Sequence, residues 1–208
     1  MKKTLLLTAL VGICGLVRAT TINAPSSLIG TSVLDGNNAY SWGISIAVPT
    51  GQVVSSAQID FTGIILTAGN GTGTDNLYTD LLNTHTTGVT TKVDNDAPLD
   101  YWATQLSGAN ITTIGTRAFT ALNVAQSWTY LLTSTQLTAL NSYLAAGSFN
   151  IGIDPDCHFT VGGLSFSYTL APKTNTVPDD AMTAFLVVLS LAGLEIFRRQ
   201  FAMAKSKA

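Results

Sequence analysis

Short runs in which large apolar residues alternate with small or polar ones dominate the middle of the chain. Residues 40–48 read Tyr-Ser-Trp-Gly-Ile-Ser-Ile-Ala-Val, a clear period of two that ends at Pro49 and Gly51. This period predicts a strand with one buried face. Similar runs, separated by Thr, Ser, Gly and Asn, predict strands at residues 53–61, 63–68, 77–82, 111–119, 127–132, 149–153 and 159–170. So many short strands are typical of an all-β domain, an antiparallel β-sandwich of which the jelly roll is one form.

One segment has a helical pattern instead. Thr133 and Gln136 have the spacing of a capping box, and Leu137, Leu140 and Leu144 would lie on one face of the helix that follows. We therefore expect one short helix of about three turns, covering an open end of the sandwich.

Both ends of the chain carry apolar segments of a different kind. Lys2 and Lys3 precede an apolar run at 5–17, which is typical of a secretory signal peptide with cleavage after Ala19. Near the other end, the 17 residues 181–197 would form a helix of about 26 Å, close to the thickness of a bilayer core. The predicted organisation is a signal peptide (1–19), a β-sandwich ectodomain (20–170), a linker (171–176) and a C-terminal segment with a transmembrane helix and basic tail (177–208).

The charge between the two ends differs from that of the whole chain. Residues 20–176 contain three basic residues against nine aspartates and no glutamate, so the net charge is near −6 (three minus nine), whereas the whole chain has −2. An acidic domain argues against nucleic acid as a partner. Cys157 is the only cysteine left after removal of the signal peptide, and we expect a buried thiol.

The C-terminal segment has a specific order of motifs. Val177, Pro178 and Asp179 precede the apolar run, and Arg198 and Arg199 follow it, which predicts a cytoplasmic C-terminus. This order resembles the PEP-CTERM class of bacterial sorting tails, in the variant that begins Val-Pro-Asp-Ser-Gly. The resemblance implies recognition by an exosortase, a membrane transpeptidase, and a path from the inner membrane to the cell surface or extracellular matrix of a Gram-negative bacterium that makes exopolysaccharide.

The match is incomplete, because Asp180 and Ala181 stand where this variant has Ser and Gly. A second resemblance lies inside the domain. Residues 149–159, Phe-Asn-Ile-Gly-Ile-Asp-Pro-Asp-Cys-His-Phe, are similar to a segment near the end of many PEP-CTERM ectodomains. That resemblance brings a domain without an established activity, so it implies a fold and a tail but no chemistry.

Closely spaced aspartates mark the predicted loops: Asp75 and Asp80, Asp94, Asp96 and Asp100, and Asp154 and Asp156. Calcium prefers several carboxylate and carbonyl oxygens, and such loops at sheet ends supply them. The first expected ligands are Asp94, Asp96, Asp154 and Asp156. The alternative is that these residues only satisfy backbone amides in turns, as aspartate often does.

The motifs of known enzymes are weak in this sequence, and we predict that the chain is not an enzyme. Cys157 and His158 are adjacent, so on a strand their side chains would point to opposite faces. The chain has no Gly-x-Ser-x-Gly elbow, and the domain has no glutamate for a glycosidase pair.

Two functional hypotheses follow. The first is a secreted, non-enzymatic surface or extracellular-matrix protein, sorted by its C-terminal signal. The alternative is an exopolysaccharide-binding module with the same tail, in which Trp102 and Tyr101, just after an acidic loop, would be exposed ligand contacts. Trp42 and Trp128 are expected in the core. Exposed aromatics in a groove would favour the alternative, and a smooth polar surface would favour the first hypothesis.

Overall fold

A computed structural model describes residues 19–30, 33–69, 73–95 and 99–173. Its strands in chain order are β1 (Ala19–Asn23), β2 (Val33–Leu34), β3 (Asn38–Ser45), β4 (Gln52–Ala68), β5 (Asp75–Leu82), β6 (Gly88–Val93), β7 (Ile111–Phe119), β8 (Gln126–Leu131), β9 (Ser148–Pro155), β10 (His158–Thr160) and β11 (Gly163–Pro172). The α-helices are α1 (Tyr101–Gln105) and α2 (Ser134–Tyr143), and short 3-10 turns occupy Gly108–Asn110 and Leu144–Ala146.

The strands form two sheets that pack face to face, and every pair is antiparallel. One sheet has the order β1-β11-β4-β10-β2 with β8 on the free edge of β4, and the other has the order β6-β3-β9-β5-β7. Without the short β2 and β10 and the edge strand β6, the orders are β1-β11-β4-β8 and β3-β9-β5-β7. This is the jelly-roll arrangement of eight strands in two Greek keys, so the predicted all-β sandwich is confirmed.

The core lies between the sheets and is rich in aromatic side chains. Phe149 of β9 contacts Phe166 of β11 with ring centroids 5.2 Å apart, and Phe119 of β7 contacts Phe159 of β10 at 4.8 Å. Each pair joins one sheet to the other, and all four rings are fully buried. Burying one such side chain contributes roughly 2–3 kcal/mol, so these contacts hold the two sheets together.

Strand β4 differs from its prediction as two separate strands. It runs through 17 residues, and its pairing with β8 shifts between Phe61 and Ile64. Gly63 lies at this shift with a φ of +59°, a left-handed conformation that glycine adopts without steric cost. A bulge at Gly63 therefore bends one long strand where the sequence pattern suggested a break.

Helix α2 forms as predicted. The Thr133 side chain accepts from the backbone N–H of Gln136, and the Gln136 side chain accepts from the backbone N–H of Thr133, which completes the capping box. Leu140 is fully buried, and Gly147 ends the segment with a φ of +90°. The Asn141 side chain binds both the N–H and the C=O of Val54, each at 2.9 Å. These contacts hold α2 against the start of β4, at one end of the sandwich.

The first and last strands of the domain lie side by side. Ala19, the first residue of β1, pairs with Thr169 of β11, so the domain begins and ends at the same end of the sandwich. β11 continues to Pro172, which pairs with Gln52, and the first two residues of the predicted linker therefore belong to this strand. The ladder of β4 extends further than the sequence pattern indicated.

Within the described part of the chain, no helix is long and apolar enough to span a bilayer. The predicted signal peptide up to Arg18 and the C-terminal segment lie outside the described residues. This applies to the sorting motif Val177, Pro178 and Asp179, and to the basic residues Arg198 and Arg199.

Candidate functional site

The outer face of the five-stranded sheet, which points away from the core, is covered by helix α1. Trp102 of α1 packs on Ala39 of β3 and Leu82 of β5, and its indole Nε1 donates to the carbonyl of Tyr40 at 3.2 Å. The indole lies against Gly152 of β9. This contact forms a small second core outside the sandwich.

The prediction of an exposed Trp102 is therefore wrong, because this side chain is only 6 % exposed. Gly152 is the physical reason, since its missing side chain leaves space for the indole on the sheet. Tyr101 is half-buried and contacts the Trp102 ring edge-on at 5.0 Å. Trp42 is buried in the sandwich core as expected, whereas Trp128 is half-buried and packs against the core, where it stacks on Phe61 at 4.8 Å.

Aspartates gather on this outer face beside α1. Asp80 of β5 lies directly opposite Gly152 of β9, and Asp154 lies opposite Tyr78, two residues along each strand. Asp100 caps α1 by accepting from the backbone N–H of Ala103 at 3.2 Å. Two strands and the N-terminus of α1 thus bring Asp80, Asp100 and Asp154 together.

Two further aspartates border this group. Asp94 follows β6 directly, its backbone N–H donates to Asn37 O at 2.8 Å, and its side chain is buried. Asp156 follows β9 and is also buried. We call Asp80, Asp94, Asp100, Asp154 and Asp156 the carboxylate cluster. It lies at the end of the sandwich opposite the start of β1, because the adjoining His158 pairs with the last residue of β4.

Some oxygens of the cluster have hydrogen-bond donors. Asp154 Oδ2 accepts from the backbone N–H of Tyr101 at 2.7 Å, which ties β9 to α1. Asp156 Oδ2 accepts from the backbone N–H of Asn76 at 3.0 Å and from its side-chain amide at 2.9 Å. Both carboxylates are thereby held in place through one of their oxygens.

The remaining oxygens of three aspartates have no donor. Both oxygens of Asp80, Oδ1 of Asp154 and Oδ1 of Asp156 are buried without a hydrogen-bond partner. Asp80 is 0 % exposed and Asp154 is 1 % exposed. A buried polar group without a partner costs roughly 1–3 kcal/mol, and more when it is charged, so the arrangement is unfavourable for four acceptors at once.

The pKa values of the cluster also reflect the cost of burying these carboxylates. Burial, together with the charges of Asp100 and Asp154, raises the pKa of Asp80 from its ordinary value of 3.8 to about 8, and the nearby Thr113 side chain partly offsets the rise. Burial also raises the pKa of Asp154 to about 7, against a lowering by the Tyr101 amide. No basic side chain is among the groups that act on either carboxyl.

The predicted calcium ligands are thus brought together in part. Asp94, Asp154 and Asp156 share one end of the sandwich, whereas Asp96 lies outside the described residues. Sequence reasoning did not choose Asp80 and Asp100 as ligands. The sequence did contain one signal for Asp80, because a carboxylate inside the predicted apolar strand 77–82 is unusual and indicates a special environment. Within the described residues, no group of three acidic, histidine or cysteine side chains is placed so that it could hold a metal ion as it stands.

The outer face of the six-stranded sheet has a different character. Hydroxyl groups pair across its strands, with Thr21 and Ser167 at 2.9 Å and Ser56 and Thr169 at 2.7 Å. The Thr129 hydroxyl donates to the Asp60 carboxylate at 2.6 Å. Most side chains of this face are short and polar, but Leu131 of β8 is 68 % exposed on it. A cavity of about 310 Å³ also opens there, lined among others by Thr21, Gln58 and Leu131.

Cysteine and histidine do not meet in a catalytic arrangement among the described residues. Cys157 is buried at the end of β9, where burial raises the pKa of its thiol. His85 lies at the other end of β9, with its Nδ1 2.6 Å from the carbonyl oxygen of Ser148. His158 faces Asp35 at 3.5 Å.

The sequence matches no family model, and no curated protein is significantly similar to it.

Proposed function

We propose that the chain is an exported, non-enzymatic surface or extracellular-matrix protein of a Gram-negative bacterium. In this proposal the signal peptide directs export and the segment 181–197 holds the protein in the inner membrane. An exosortase then recognises Val177, Pro178 and Asp179 and releases the sandwich toward the cell surface. The proposal rests on the resemblance of the tail and on the extent of the folded domain.

The extent of the jelly roll carries the structural part of the argument. Its first strand begins at Ala19, the predicted last residue of the signal peptide, and its last strand ends at Pro172, five residues before Val177. Apart from Ala19, the described strands therefore lie between the predicted signal peptide and the proposed sorting motif. Cleavage at both places would keep every described strand and shorten β1 by one residue.

The burial of Trp102 favours this hypothesis over exopolysaccharide binding. Sugar-binding sites use exposed aromatic rings beside polar groups, and Trp102 was the main candidate for such a ring. Its indole is instead packed on Gly152. The alternative has thereby lost the residue on which it mainly depended.

The proposal is tested by the intact mass of the protein recovered from its producing bacterium, with and without the exosortase gene. We expect a C-terminus near Val177–Asp180 only when the exosortase is present. Pro178→Ala should reduce this processing, and Asn175→Gln in the linker, as a matched control, should not. Retention of Arg198 and Arg199 in both strains would mean that the tail is only an anchor, and the sorting proposal would be wrong.

A further inference from the structure

We propose that the carboxylate cluster binds one calcium ion, with Asp80, Asp100 and Asp154 as its protein ligands and Asp94 beside them. This inference goes beyond the proposed function and does not depend on how the chain is sorted. It differs from the sequence-based ligand set of Asp94, Asp96, Asp154 and Asp156. Asp80 and Asp100 enter as ligands, Asp94 is only a neighbour, and Asp156 and Asp96, the latter outside the described residues, have no part in it.

The Asp80 side chain is the main argument. It is wholly buried on the outer face of the sheet, and neither of its oxygens has a donor at full hydrogen-bond geometry, although the Thr113 side chain lies close by. Its close neighbours Asp100 and Asp154 are acidic as well. A buried carboxylate is retained in proteins when it is paired, protonated or bound to a metal. A bound cation would satisfy both Asp80 oxygens and remove the repulsion among the three aspartates.

Asp154 and Asp100 are placed to complete the site. Asp154 uses Oδ2 to accept from Tyr101 N, so its buried Oδ1 has no protein donor and is available to an ion. Asp100 is half-buried at the start of α1. It lies close enough to Asp80 for its charge to raise the pKa of the Asp80 carboxyl. Because the Tyr101 contact joins Asp154 to α1, an ion held by these three residues would tie α1 to strands β5 and β9.

The donor chemistry selects the metal. All donors in the cluster are carboxylate oxygens, which suit hard cations, while zinc and copper sites use imidazole or thiolate. Calcium accepts six to eight oxygens in flexible geometry, whereas magnesium requires a near-ideal octahedron and keeps more of its water. The carboxylates belong to two strands and a helix cap, and they must move toward each other to bind an ion. Calcium suits them better because its coordination geometry is flexible.

Calcium titration of the purified full-length chain, after removal of divalent ions by a chelator, tests the inference. Isothermal calorimetry gives the stoichiometry, and terbium luminescence sensitised by aromatic rings near the ion, such as Trp102 and Tyr101, gives a second readout of binding. We expect one site with a Kd between about 10⁻⁶ and 10⁻³ M, and weaker binding of magnesium. Thermal melting should show a calcium-dependent rise in Tm.

Three variants locate the site. Asp80→Asn and Asp100→Asn should each weaken calcium binding at least tenfold, while Asp60→Asn, a matched charge removal on the other sheet, should change the Kd less than twofold. Asn is as good an N-cap as Asp, so Asp100→Asn retains the start of α1. Asp80→Asn replaces the buried carboxyl by an amide of nearly the same shape, and circular dichroism checks that both variants fold.

The opposing hypothesis is that Asp80 and Asp100 share a proton and bind no metal. Absence of calcium binding by the wild-type chain at about 10 mM, ten times the upper limit for extracellular modules, would overturn the proposal. Equal calcium affinity of the wild type and Asp80→Asn or Asp100→Asn would overturn the assignment of the ligands. Each result leaves the exosortase experiment unaffected, so the two proposals fail separately.

Discussion

The indole of Trp102 lies over Gly152, where a β-carbon on residue 152 would be 2.8 Å from Trp102 Cδ1. Leu82 on the adjacent strand would be 3.1 Å from the same β-carbon. Only a glycine at this position of β9 lets α1 approach the sheet closely. The same contact positions Asp100, the residue that caps α1, beside Asp80 and Asp154.

Gly152→Ala should therefore destabilise the domain by about 1–3 kcal/mol, because the new methyl group would displace the indole. Thermal melting would measure this loss of stability. A double-mutant cycle with Trp102→Ala is the control: the Gly152→Ala penalty should largely disappear once the indole is removed. An undiminished penalty in the Trp102→Ala background would show that the indole is not its cause.

In the absence of divalent ions, the stability of the protein should fall as the pH rises. The pKa of Asp80 is raised to about 8 and that of Asp154 to about 7 in the folded protein. Below about pH 4, the pKa of an aspartate in the unfolded chain, both carboxyls are neutral and their contribution to the stability of the fold is fully present. Their stabilising contribution is lost as the pH rises through the folded pKa values.

The apparent Tm in chelator should accordingly fall by about 5 °C or more between about pH 5 and pH 8. Buffers of equal ionic strength isolate the effect of pH. The groups that act on Asp80 and Asp154 include Asp94, Asp100 and Asp156, all of the same sign. Asp80→Asn should flatten the profile, and a Tm that rises over this range would contradict the prediction.

Thr133→Ala should destabilise the domain by about 1 kcal/mol, because it removes the hydroxyl that accepts from the N–H of Gln136. For a domain of this size the Tm should fall by about 2–4 °C. Thr138→Ala is the matched control, since its hydroxyl only binds the Ser134 carbonyl within the helix at 2.9 Å. Equal losses for the two variants would argue against a capping effect.

Cys157 should react slowly with thiol reagents in the folded protein. The side chain is buried, and burial raises the pKa of the thiol, so little thiolate is present at neutral pH. Labelling with a chromogenic disulfide should be complete only after addition of denaturant. Rapid labelling of the native chain would mean that the end of β9 opens easily.

The local patterns of the sequence predicted much of the fold. Alternation in residues 40–48 predicted β3, and the spacing of Thr133 and Gln136 predicted α2, because both signals depend on neighbours along the chain. The bend at Gly63 was not predicted, since a bulge inside a strand and a turn between strands have the same composition. The order of strands was also outside the reach of these patterns, because pairing joins residues far apart in sequence.

The carboxylate cluster was likewise predictable from the sequence only in part. The sequence by itself determined that the domain is acidic, that its aspartates occupy a few short segments, and that its ends resemble export and sorting signals. Only the tertiary structure decided which aspartates meet. β9 lies between β3 and β5, although about 70 residues separate it from β5 in the chain. That long-range pairing places Asp154 near Asp80, and the absence of a side chain at Gly152 lets Trp102 bring Asp100 to them.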